Sequence, residues 1–145
     1  MAEVELSFAA RPAHVRTARQ IAVALARRAN LAESAMDSVR LAVSEACGLV
    51  VALQLAANPD DPITVVFEDE SGLSIDVRGT SALKEAEGDA AIAVLSEAVV
   101  PVADELPAGA SLAVVAELAP RLDVTTSADG VSLSLGWPAE AGASR

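Results

Sequence analysis

The chain has 145 residues, a net charge of −11 and one cysteine, and these values already exclude several kinds of protein. The length suits one domain whose hydrophobic core needs no disulfide or metal. Cys47 cannot form an internal disulfide, and no Cys/His cluster suggests a zinc site, which fits a reducing, cytoplasmic setting. The negative charge argues against nucleic acid as a partner, because phosphate binding needs a basic surface.

No segment has the features of a secretory signal or a membrane span. The N-terminal residues lack a basic segment followed by an apolar one. The longest apolar stretch, residues 47–57, is well short of the roughly 20 residues that cross a membrane, and Gln54 interrupts it. We therefore expect a soluble protein without a membrane partner.

The first third of the sequence predicts one strand and two helices. Residues 3–8 alternate between apolar and polar, as in a half-buried strand. Apolar residues recur every three or four positions from Pro12 to Ala29 and predict a helix whose opposite face is rich in arginine. A longer helix is predicted from about residue 32 to the turn formers at 58–62.

The remainder predicts two β-hairpins with two helices between them. The segments are strands 63–67 and 73–77, an irregular stretch 80–88, helices 90–100 and 112–119 with a turn at 107–109, and strands 122–126 and 131–135. This order predicts an α+β two-layer sandwich, in which helices cover one face of a mainly antiparallel sheet. We expect one domain over residues 1–137 and a flexible tail over 138–145.

Motifs of the common enzyme classes are absent from the sequence. It has no P-loop, GxSxG or HExxH, its single histidine, His14, has no local partners, and no metal site is predicted. Cys47 lies in an apolar stripe, which indicates a core residue, and Trp137 is expected to cap the core. Glu45 lies near the middle of an apolar helix, where a carboxylate is costly unless it is solvated or used.

One segment resembles a known motif. Residues 39–46, Val-Arg-Leu-Ala-Val-Ser-Glu-Ala, are similar to the start of the N-box of the GHKL (Bergerat-fold) ATPases, and specifically of the RsbW/SpoIIAB anti-sigma factor serine kinases. The opening strand, Ala18-Arg19 and the closing hairpin follow the same family order and spacing. The resemblance implies a Bergerat fold and an anti-sigma factor that regulates transcription in a stress response. The expected partners are a sigma factor, a STAS-type anti-anti-sigma factor and a second copy of the chain.

The resemblance also assigns the positions of a nucleotide site, and this sequence departs from the family at most of them. Glu45 stands at the position of the catalytic base. Leu49 replaces the asparagine that holds Mg²⁺, and leucine has no oxygen to offer the ion. Gly79 replaces the aspartate that binds adenine, and Gly109 is the single glycine where a glycine-rich lid is expected. ATP and Mg²⁺ should therefore bind weakly at most, with kinase activity very low or lost.

Arginines of the first helix are the expected partner contacts. Residues 1–54 carry six arginines and five acidic residues, whereas the rest of the chain carries four basic and sixteen acidic residues. The resemblance implies that Arg16 and above all Arg19 bind the partner, and Arg27 is expected to contribute much less. A solvated arginine face is the plain alternative for these residues.

Two other functions stay open at this point. One is an active serine kinase that phosphorylates the STAS antagonist, which Glu45 alone favours. The other is a regulatory domain derived from a larger sensor that binds a different ligand in the old site. The sequence does not identify the sigma factor, the antagonist, the inducing signal or the oligomeric state.

Overall fold

The structure is a computed structural model that describes residues 3–98 and 108–139. Its strands are β1 (Glu3–Phe8), β2 (Ile63–Glu68), β3 (Gly72–Gly79), β4 (Ala86–Glu87), β5 (Arg121–Ser127) and β6 (Gly130–Pro138). Its α-helices are α1 (Val15–Arg28), α2 (Met36–Ala57), α3 (Gly88–Ala98) and α4 (Ala108–Leu118). Short 3₁₀ turns at Pro12–His14 and Glu33–Ala35 precede α1 and α2.

The strands form one sheet in the order β1-β2-β3-β6-β5-β4, and each neighbouring pair is antiparallel. Residues that pair across the sheet share a face, and one such row runs through Val65, Val77, Leu133 and Val124, all of them buried. The helices cover this apolar face. The structure therefore confirms the predicted α+β two-layer sandwich.

The structure differs from the sequence prediction at several element boundaries and in one strand. Strand β4 was missed, because two residues inside a polar segment show no periodicity; Thr126 Oγ1 donates to Lys84 O at 2.6 Å and holds this segment to β5. The predicted turn at 107–109 is wrong for its last two residues, which belong to α4. Strand β6 continues through Pro138. Residues 99–107 and 140–145, which contain the predicted end of α3, Pro107 and most of the tail, lie outside the described residues.

Helix α2 forms the centre of the helical layer and packs against α1, α4 and β3. The segment Glu33–Ala57 is long and apolar enough to cross a membrane by composition, and 56% of its most apolar window is buried inside the fold, as in the core helix of a soluble protein. The apolar stretch predicted from the sequence, residues 47–57, was too short because it left out the apolar residues of α2 before Cys47.

Two predicted core residues have the expected surroundings. Trp137 is buried, and its Nε1 donates a hydrogen bond to Leu118 O at 3.2 Å, which closes the end of the core as predicted. Cys47 is buried in α2, and desolvation raises the pKa of its thiol to about 12. Burial thus disfavours the reactive thiolate form of Cys47.

We expect the burial of Cys47 to make stability fall at alkaline pH. The unfolded thiol ionises near its ordinary pKa of 9.0, whereas the folded thiol stays protonated up to about 12. Between these values the unfolded state releases a proton first, so the free energy of unfolding should fall by up to about 1.4 kcal/mol per pH unit. Urea denaturation from pH 8 to 11, roughly that window, measures the slope.

The Cys47→Ala variant is the control for this slope. The chain has no tyrosine and a single lysine, Lys84, so few other side chains titrate in the same range. The variant should have a much flatter pH dependence above pH 9.0. Equal slopes in the two proteins would show that Cys47 does not carry the effect.

Candidate functional site

The two N-box positions on α2 have different surroundings. Glu45 is half-buried and, among the residues that the structure describes, makes no hydrogen bond or ion pair. Leu49, one turn further along, is 7% exposed and belongs to the hydrophobic core, as does Leu53. An apolar core side chain therefore occupies the position where the resemblance expects a magnesium ligand.

The space beside Gly79 is filled by side chains of α2. A Cβ at this position would lie 2.8 Å from Gln54 Oε1 and 2.9 Å from Val50 Cγ1. Glycine is thus required here by lack of space. Asp76, three residues earlier, lies on the opposite, open face of the sheet and pairs with Arg78 at 3.1 Å, as the strand alternation predicts.

Gln54 is fully buried and uses its whole amide group. Its Oε1 accepts a hydrogen bond from Thr80 N at 2.8 Å, and its Nε2 donates to Thr80 Oγ1 at 2.6 Å and to Asn58 O at 3.0 Å. Thr80 Oγ1 in turn donates to Asp61 Oδ2 at 2.9 Å. This polar cluster fastens the C-terminal end of α2 to the end of β3.

This cluster was not predicted from the sequence. Gln54 interrupts an apolar run, and because a single amide in a buried helix must find partners, this residue was the available signal. Its main partner, Thr80, lies 26 residues away in the sequence. Only the three-dimensional structure brings the two together.

Gly109 lies in the first turn of α4 and faces α3. A Cβ at this position would lie 3.2 Å from Ser96 Oγ. The structure therefore places Gly109 at a contact between α3 and α4. Gly79 lies instead against side chains of α2, and Leu49 belongs to the hydrophobic core.

A groove between α1 and α2 collects most of the arginines of the first helix. Its volume is about 400 Å³. We call it the arginine groove, and it is lined by Arg16, Arg19, Gln20, Val23, Ala24, Arg27 and Arg40. The two arginines expected to bind a partner, Arg16 and Arg19, are thus brought together in one concave surface.

Few carboxylates of the same chain pair with the arginines of the groove. Arg19 Nη1 donates to Ser44 Oγ at 3.3 Å, and Arg16 has no hydrogen bond or ion pair within the described residues. Arg27 pairs with the largely exposed Glu33 at 3.5 Å, and Arg40 pairs with the exposed Asp37. These exposed ion pairs are weak and can be exchanged for a partner's carboxylates.

Two further arginines of α1 have different surroundings. Arg27 lines the same groove as Arg19, and its expected smaller contribution to partner binding stays a prediction. Arg28 is not among the residues that line the groove, and it pairs with the buried Asp69 of the β2–β3 turn at 3.1 Å. Arg40 was not considered at all, because it lies on α2 and reaches the groove only through the packing of the two helices.

The family of the chain follows from comparison with known sequences. A family model described as a histidine kinase-like ATPase domain matches residues 8–137. The chain belongs to this family. No curated protein matches the chain at a significant level.

The residues at the positions that the resemblance assigns to a nucleotide site do not offer the groups that Mg²⁺–ATP needs. Leu49 offers no oxygen to a metal ion and is packed in the core, and Gln54 and Val50 occupy the space beside Gly79. Within residues 3–98 and 108–139, no group of three or more His, Cys, Asp or Glu side chains is placed to hold a metal ion.

We expect Gly79→Asp to destabilise the protein rather than to restore a nucleotide site. The new carboxylate would meet Gln54 Oε1 and Val50, and overpacking of this kind usually costs about 1–3 kcal/mol. Gln54→Ala alone should cost a similar amount, about 1–3 kcal/mol, because Thr80 N loses its acceptor. Chemical denaturation of both variants measures these losses.

The double variant Gly79→Asp/Gln54→Ala tests whether the two effects share one cause. Removing Gln54 vacates the space that the aspartate needs, so the combined loss should be smaller than the sum of the single losses. Strictly additive losses would mean that Gln54 does not block this position.

Proposed function

We propose that the protein is an anti-sigma factor that acts by binding and does not use ATP. It sequesters a sigma factor and is released by a STAS-type anti-anti-sigma factor. One observation carries the proposal. The chain belongs to the histidine kinase-like ATPase domain family, yet Gln54 and Val50 fill the space beside Gly79. The likeness to the RsbW/SpoIIAB proteins over residues 39–46 supports the choice of partner.

The surroundings of Glu45 support binding over catalysis. Phosphoryl transfer depends on positioning and charge neutralisation by metal ions and donors around the phosphates. Glu45 has no hydrogen-bond or ion-pair partner in the described part of the chain, and Leu49 supplies no metal ligand. The alternative of an active serine kinase therefore rests on one carboxylate without supporting groups.

The arginine groove supports the proposal because it offers a surface for binding a partner protein. Arginine is enriched at binding hot spots because its planar fork pairs bidentately with carboxylates. Four arginines line it on a chain with a net charge of −11. We further propose a cytoplasmic protein that pairs with a second copy of itself.

We expect ATP with Mg²⁺ to bind no tighter than about millimolar, because the missing metal ligand and adenine contact should each cost about 1–3 kcal/mol. Isothermal titration calorimetry with Mg²⁺–ATP checks this expectation. A dissociation constant in the low micromolar range would overturn it. Transfer of radioactive phosphate from ATP to a STAS antagonist would in turn favour the kinase.

We expect Arg19→Ala to weaken sigma-factor binding by about tenfold or more, the usual effect of losing a desolvated arginine contact. Its melting temperature should change little, because its single side-chain hydrogen bond goes to Ser44. Calorimetric titration with the sigma factors of the same organism measures the affinity.

Arg78→Ala is the matched control for this measurement. It removes the same charge from the open face of the sheet, where Arg78 pairs with Asp76. Small and equal losses for the two variants would show that a bound sigma factor contacts another surface. Absence of binding to every sigma factor and STAS protein would contradict the proposed function itself.

A further inference from the structure

The residues that α1 contributes to the arginine groove have the spacing of a helix-packing stripe. Arg16, Gln20, Val23 and Arg27 follow each other at intervals of four, three and four residues. This alternation is the pattern of residues that face a single partner helix in a coiled coil. The stripe thus has its arginines at both ends and Val23 near its middle.

The floor and length of the groove suit a helix. Ala24 is exposed, and its small side chain allows the axis of a neighbouring helix to come within the usual 8–10 Å. The twelve residues from Arg16 to Arg27 extend over about 16 Å of helix. A single phosphate or other small anion needs donors that converge on one point, which arginines spread over this length do not provide.

The positive charge of the groove indicates which kind of helix binds there. Arg16 and Arg19 have no carboxylate partner in the described residues, and Arg40 adds a fourth positive charge from the wall formed by α2. Elsewhere the chain is acidic, with sixteen acidic and four basic residues after residue 54. An acidic partner is therefore attracted to the groove and repelled by most of the remaining surface.

We infer that the arginine groove binds an amphipathic acidic helix of the partner protein, laid along α1 with carboxylates at its two ends and small apolar residues between them. The inference rests on the proposed function for the identity of the partner, a sigma factor or its antagonist. The chemistry of the occupant follows from the groove itself: the carboxylates pair with Arg16, Arg19, Arg27 and Arg40, and the apolar stripe covers the exposed Ala24 beside the buried Val23.

The test uses a synthetic probe, a fluorescein-labelled helical peptide of about 20 residues, long enough for a marginally stable helix. It carries glutamates towards both ends of one face and alanine and leucine between them. Fluorescence anisotropy measures its binding to the full chain. Binding should weaken steadily with added salt, and a shuffled peptide of the same composition without the apolar stripe should bind at least about tenfold more weakly.

Ala24→Glu is the decisive variant, because it places a negative charge on the floor of the groove. It should weaken binding of the peptide by about tenfold or more. Ala93→Glu, the same change at an exposed position of α3, is its control and should have little effect. If Ala24→Glu fails to fold, Arg40→Ala takes its place, since Arg40 lines the groove from α2 and its ion pair is exposed.

The outcomes separate this inference from the proposed function. Equal binding by the Ala24→Glu and Ala93→Glu variants, or equal binding of the ordered and shuffled peptides, would overturn the inference. A sigma factor that binds the Ala24→Glu variant as tightly as the unchanged protein would overturn the inference and leave the proposed function standing. Peptide binding that depends on Ala24, without binding of any sigma factor or STAS protein, would support the groove and overturn the proposed function.

Discussion

The burial of α2 is the constraint on which the rest of the structure depends. Its buried side chains are apolar except for Gln54, so the helix gains most from the hydrophobic effect and must satisfy a single amide group. Thr80 satisfies that amide through both its backbone N and its hydroxyl, and this pairing fixes the end of β3 against the end of α2. The buried amide thereby fixes the position of α2 relative to β3, which hydrophobic contacts alone do not specify.

The same burial explains why a fold typical of ATPases carries a site that does not fit ATP. Leu49 contributes to the core on α2, where an asparagine would leave its polar group without solvent. The close packing of Gln54 and Val50 against Gly79 stabilises the joint between helix and sheet and fills the adjacent space. At these positions, side chains that would serve a ligand are replaced by side chains that serve the core.

Much of the fold could be predicted from the sequence, because periodicity reports which side of an element is buried. The first strand was predicted with its observed bounds, and α2 was predicted to within a few residues. Strand β4 has too few residues to show a period. The sites were harder to predict, since Gln54 acts through Thr80 and the arginine groove needs Arg40 from α2 beside Arg19 from α1. Such juxtapositions depend on packing, which no local pattern encodes.

Under the proposed function, the absence of phosphoryl transfer changes how a bound partner is released. A kinase can inactivate the antagonist chemically, whereas a protein that only binds must obey mass action between its competing partners. A sigma factor and an antagonist that share the arginine groove would exclude each other, because their helices would need the same arginines. The ratio of their concentrations, weighted by their affinities, then sets how much sigma factor is free. Since the contacts are between charges on a solvated groove, higher ionic strength should weaken the binding of both partners.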